Sequence, residues 1–143
     1  MLEKQISVFI ENKRGRLAEI TKTLGDNGVD MCALCVADTK DFGVLRIIVD
    51  KTEFAVKVLK DAGYAVNITE VIAIAVEDRP GGLAAALCIL DECEINIEYM
   101  YHFISKDAKR ATVIIRVDKP AEAAEKLKSA SPDLLADINR NEV

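Results

Sequence analysis

The chain has 143 residues, of which 50% are hydrophobic and 30% charged, and its formal net charge is −5. This is the composition of a globular chain. Acids and bases are interleaved rather than clustered, which argues against a nucleic-acid partner. No apolar run approaches the roughly 20 residues of a membrane span. Residues 1–4 lead into a strand without a signal-peptide core, so a cytoplasmic protein with no membrane partner is expected.

In chain order, the period-two alternation of residues 5–11 predicts a strand, and residues 15–27 a helix ending near Gly28. Strands at 30–38 and 43–50 form a hairpin around 39–42. A helix at 52–62 is stopped by Gly63, and 64–68 supplies a fourth strand. The series then restarts. A strand is expected at 71–77, a helix from 80 to 92 or 93, strands at 94–104 and 110–118, and a helix at 120–129. Ser131-Pro132-Asp133 breaks that helix, leaving 134–138 as a short last strand or a frayed tail.

The second series is a copy of the first. Ile6, Val8, Ile10 and Glu11 become Ile72, Ile74, Val76 and Glu77 at a shift of 66 residues, and Leu17, Ile20 and Leu24 become Leu83, Ala86 and Leu90. Beyond the hairpin the shift is 68, pairing Leu45, Ile47, Val49 and Asp50 with Val113, Ile115, Val117 and Asp118. Two residues have been gained in a turn, where insertions are tolerated. The expected fold is α+β: two ferredoxin-like βαββαβ modules, residues 1–69 and 70–143, each an antiparallel sheet with both helices on one face. Modules of this size have marginal cores alone, so the two are expected to pack together. Ala73, Ala75 and the apolar run Met31-Cys32-Ala33-Leu34-Cys35-Val36-Ala37 suggest that the second sheet face is not left to water. The helix 83–90 is apolar all round, which predicts an interface.

Glu77-Asp78-Arg79-Pro80-Gly81-Gly82-Leu83, followed by a helix and by Glu94-Ile95-Asn96-Ile97 opening a strand, resembles the ACT domain. The first copy is similar through Asn12, Gly15, Leu17 and Gly28-Val29-Asp30-Met31. The resemblance covers nearly the whole chain. It implies a free-standing regulatory protein of two ACT repeats that binds a small L-amino acid between repeats or subunits, with a homodimer as the assembly.

An amino acid brings a carboxylate and an ammonium that must both be satisfied. A glycine-bearing loop entering a helix offers N–H groups to the anion; Gly15, Arg16 and Leu17, and likewise Gly81, Gly82 and Leu83, are the expected donors. Pro80 fixes the turn and donates nothing. Asn12, Asp78, Asp30 and Asn96 are expected to accept from the ammonium, all at the loop end of the sheet, with Met31 and Ile97 beside the last two. Arg14 stands where the family pattern has proline, and Asp30 where it favours asparagine, so the two half-sites are expected to be inequivalent. The same loops also read as ordinary N-caps and turns.

No other chemistry assembles. Cys32 and Cys35 are placed on opposite faces of a strand by their spacing, and Cys88 reads as packing. His102 has no nucleophile beside it, and no phosphate or dinucleotide loop occurs, so neither metal nor cofactor nor enzyme activity is expected. The alternative to a ligand sensor is a regulatory subunit of an amino-acid biosynthetic enzyme, such as acetolactate synthase, acting through protein contact with that metabolic enzyme.

Overall fold

The computed structural model describes residues 2–38, 41–102 and 110–136. Its elements are β1 (Glu3–Glu11), α1 (Arg16–Asp26), β2 (Met31–Asp38), β3 (Phe42–Val49), α2 (Thr52–Asp61), β4 (Ala65–Glu77), α3 (Gly82–Glu92), β5 (Ile97–His102), β6 (Arg110–Val117) and α4 (Pro120–Ala130). A 3-10 turn follows at Pro132–Leu134. The chain divides into two compact units, Lys4–Thr69 and Glu70–Val143, the latter with Met1–Glu3.

In the first unit β3 lies between β1 and β2, antiparallel to both, with Val8 opposite Leu45 and Val36 opposite Leu45 from the other side. The even-numbered residues Ile6, Val8 and Ile10 therefore share a face with Leu45 and Ile47, and that face packs against Ile20 and Leu24 of α1 and Ala55 and Leu59 of α2. The second unit repeats the plan around β6, which pairs with β4 and β5. Ile72, Ile74 and Val76 meet Val113 and Ile115 under Ala86, Leu90, Ala123 and Leu127. Each core is thus the set of positions that the repeat carried over, and both helices of each unit cover one sheet face, as the ferredoxin-like pattern requires. Val71, Ala73 and Ala75, on the other face of β4, are also buried.

Helix ends are set by local chemistry. Gly28 (φ 70°) ends α1, its N–H donating to Gly25 O while Val29 N–H donates to Leu24 O, a Schellman pair. The second copy makes the same pair, Glu94 to Asp91 O and Ile95 to Leu90 O, but with Glu94 held at φ 55°. Gly63 (φ 92°) stops α2 in the same manner.

Four expectations need correction. The strands expected at 64–68 and 71–77 are one strand, β4, since no breaker interrupts Ala65–Glu77. Residues 94–96 precede β5 rather than opening it, because Glu94 occupies the helix-ending position. Of the expected last strand, Leu135 forms a single antiparallel bridge to Ile74 and Ala136 N–H donates to Ala73 O at 2.9 Å. Arg110 secures this segment by donating to Ala75 O and Asp133 O at 3.0 and 2.7 Å; residues 137–138 lie outside the described set, as do 39–40 of the hairpin and 103–104 of the strand expected at 94–104. Cys88 is exposed rather than packed. A helix that is apolar all round must turn some of that surface outward, and on α3 it is Ala84, Ala85 and Cys88.

Candidate functional site: two glycine-led helix entrances

The loop from β1 to α1 and the loop from β4 to α3 are built alike. Lys13 N–H donates back to Glu11 O (2.8 Å) and Arg16 N–H to Lys13 O (3.3 Å); Arg79 N–H donates to Glu77 O (2.9 Å) and Gly82 N–H to Arg79 O (3.0 Å). Gly15 and Gly81 stand at the N-caps with φ 88° and 84°. That left-handed conformation costs a residue with a Cβ about 1–2 kcal/mol. Neither helix has a side-chain cap among the described residues.

Of the expected donors, Arg16 and Gly82 spend their N–H groups inside the turn, which leaves Gly15 and Leu17 in the first copy and Gly81 and Leu83 in the second; none of these four has an acceptor among the described residues. An uncapped helix start carries roughly half a positive charge. The two loops share one more device. The Lys13 ammonium lies 2.8 Å from Glu11 and holds its carboxyl below the ordinary 4.5, first by their hydrogen bond and then by charge. Arg79 does the same to Glu77. Each entrance is therefore flanked by a carboxylate that stays charged at neutral pH.

A cleft of about 100 Å³ opens beside the first loop, lined by Ile10, Glu11, Asn12, Lys13, Arg16, Leu17, Val36 and Gly43. Three expected site residues line it: Asn12, Arg16 and Leu17. Gly15 forms the adjoining turn, while Arg14 projects from the loop outside the lining. Val36 and Gly43 were missed. Val36 lies on the helix-covered sheet face but on the edge strand, and it is 41% exposed. Leu17 is similarly open at 40%.

Asp30, Met31, Asn96 and Ile97 are not at this end. Glu11 pairs with Phe42 at one end of β3 and Met31 with Val49 at the other; Glu77 pairs with Arg110 and Ile97 with Val117 across β6. Seven residue steps along either strand separate the two ends by roughly 24 Å. Each helix returns the chain to the start of the sheet before the next strand begins, a signal already present in the strand-helix-strand order. Asp30 and Asn96 are instead anchored to the ends of the third strands. Asp50 accepts Asp30 N–H at 3.0 Å, and Asp118 accepts both the backbone N–H (3.2 Å) and the side-chain Nδ2 (3.3 Å) of Asn96. The amide of Asn96 thus has its NH₂ engaged and its oxygen turned to accept, whereas Asp30 offers Asp50 no side-chain donor.

Among the described residues no cluster of three or more His, Cys, Asp or Glu has the arrangement to hold a metal ion, and no helix is long and apolar enough to cross a membrane.

The chain matches the model of a family described as ACT domain pair over residues 1–143. It is similar to the crystal structure of protein BT0572 from Bacteroides thetaiotaomicron, with 41% identity, a TM-score of 0.91, and coverage of 100% of this chain and 98% of that one. The ligand-free regulatory subunit of aspartate kinase from Thermus thermophilus shares 17% identity at a TM-score of 0.65, covering 91% and 94% of the two chains. The corresponding subunit from Thermus flavus shares 18% at 0.65, covering 91% of each. At such identities the last two establish a common fold. No curated protein sequence matches the chain.

Proposed function

Because the chain belongs to the ACT domain pair family, whose modules are regulatory, we propose that it is a non-catalytic, cytoplasmic regulatory protein that binds a small L-amino acid at the glycine-led helix entrances. The observation that carries this is the repetition of an uncapped helix start behind a left-handed glycine, at Gly15 and again at Gly81. One such turn is commonplace; keeping two open, each with a charged carboxylate beside it, points to a zwitterion. The ligand carboxylate is received by the N–H groups of Gly15 and Leu17, or of Gly81 and Leu83, and its ammonium faces Glu11 or Glu77. Leu17 and Val36 offer an apolar wall to its side chain.

A cleft of about 100 Å³ is smaller than the ~300 Å³ and upward of pockets that enclose a small molecule. Another module must close it, and we assign that wall to a second copy of the chain in a homodimer. Asn96 and Asp30, some 24 Å from their own loops, contribute if they belong to the closing module. The outer side of α3 gives the dimer a surface: Ala84, Ala85 and Cys88 are exposed where α1 carries Ala18, Glu19 and Lys22. The same surface supports a second reading, contact with an amino-acid biosynthetic enzyme, in keeping with the aspartate kinase regulatory subunits that share the fold.

Thermal unfolding of refolded protein against each of the twenty amino acids tests the proposal. A ligand at about 100 times its Kd adds roughly 2.7 kcal/mol, which moves the midpoint by several degrees. Gly15→Val together with Gly81→Val should abolish the shift while the far-UV circular dichroism persists. A flat panel with wild-type protein would favour the enzyme-contact reading.

A further inference from the structure

The two entrances differ in charge. Residues 12–17 carry Lys13, Arg14 and Arg16 and no acid, a charge of +3; the equivalent residues 78–83 carry Asp78 and Arg79, a charge of zero. Arg14 is answered by Pro80, and Arg16 by Gly82. The Gly82 position has no room for a side chain, because an added Cβ would lie 2.2 Å from Glu77 O. In the first copy the same position holds Arg16, one of the residues that line the cleft.

Lys13 is paired with Glu11 at 2.8 Å; among the described residues the ion pair of Arg16 is with Glu19, at a looser 3.4 Å and one turn along the helix surface, and its charge also acts on Glu11 and Tyr64. Arg14 has no ion-pair partner among the described residues. Three cations around the positive end of a helix oppose its macrodipole. The second copy does without two of them and folds alike, so the fold does not require them.

Building on the amino-acid reading above, we propose that the first half-site selects an L-amino acid bearing a second carboxylate, and that Arg16 is the residue that reads it. With the α-carboxylate on the Gly15 and Leu17 N–H groups and the ammonium sharing the Glu11 carboxylate with Lys13, the side-chain carboxylate is taken by the Arg16 fork, which can bind it bidentately. The second half-site, with glycine in place of Arg16, has no such preference.

Calorimetric titration of the full-length protein with L-aspartate, L-glutamate, L-asparagine and L-glutamine, near-isosteric acid and amide pairs, tests this. One acid should bind about 10-fold or more tightly than its amide, the range of a hydrogen-bonded charge. Arg16→Met should bring that ratio to about one, Arg16→Lys should restore part of it, and Lys22→Met, a surface cation paired with Asp26, should leave it unchanged. An amide bound as tightly as its acid, or a ratio that survives Arg16→Met, overturns the selectivity while leaving amino-acid binding intact. Binding of none of the twenty amino acids overturns both.

Discussion

Replacing Gly82 by Ala isolates what the fold demands of the second loop. Gly82 has no positive φ, and at a helical position the exchange ordinarily gains up to about 1 kcal/mol. Here the new Cβ would stand 2.2 Å from Glu77 O, 3.2 Å from its carbonyl carbon and 3.6 Å from its nitrogen. All three are backbone atoms of the last residue of β4, which pairs with Arg110, so they cannot swing aside as a side chain would. The strand end or the helix start must move by about 1 Å, an overpacking cost of typically 1–3 kcal/mol. The clash outweighs the propensity, and a net loss of about 1–2 kcal/mol is expected, some 2–6 °C in Tm by differential scanning calorimetry. The chain supplies its own control. Arg16→Ala, at the repeat-equivalent position, removes only a loose, largely solvated ion pair with Glu19 and should change stability by less than about 0.5 kcal/mol. A Gly82→Ala protein as stable as the wild type would refute the claim that this contact fixes the turn.

Two further outcomes follow from the same comparison of copies. Glu94 occupies at φ 55° the place that Gly28 occupies at 70°, so Glu94→Gly should stabilise the protein by about 1 kcal/mol in a denaturant melt, whereas Gly28→Ala should destabilise it by a similar amount. Glu11, whose carboxyl is held below its ordinary 4.5 by the hydrogen bond and charge of Lys13, should titrate below that value in a carbon-detected NMR experiment and return toward it in Lys13→Met. Because the folded value is the lower one, its contribution to stability is complete above pH 4.5 and is lost as the pH falls through the folded value. A Lys13→Met protein with an unaltered Glu11 titration would show that another group sets it.

Much of the fold was legible because it rests on local periodicity. Ile6, Val8 and Ile10, Ile20 and Leu24, and Ala55 and Leu59, with their counterparts in the second copy, are the cores, and the glycines at 15, 28, 63 and 81 mark turns that only a left-handed residue closes easily. The site was less legible. Asn12, Arg16 and Leu17 could be picked out by their loop, but Val36 could not, since its alternation marks it as core and only its place on an edge strand leaves it open. Asp30 and Asn96, expected beside the loops, stand at the opposite end of the strands, although the return of the chain through each helix already contained the answer.

By itself the sequence determined that one module is repeated, which residues face each core, and where the two glycine-led entrances lie, because these follow from spacing and from backbone preferences within a few residues. The tertiary structure decided which N–H groups remain unspent, that Gly82 lies against the Glu77 backbone while Arg16 lines a cleft, and that the entrances stand some 24 Å from Asp30 and Asn96. Those features depend on how strands pair and how tightly a helix is drawn against a sheet, contacts between residues that no short pattern brings together.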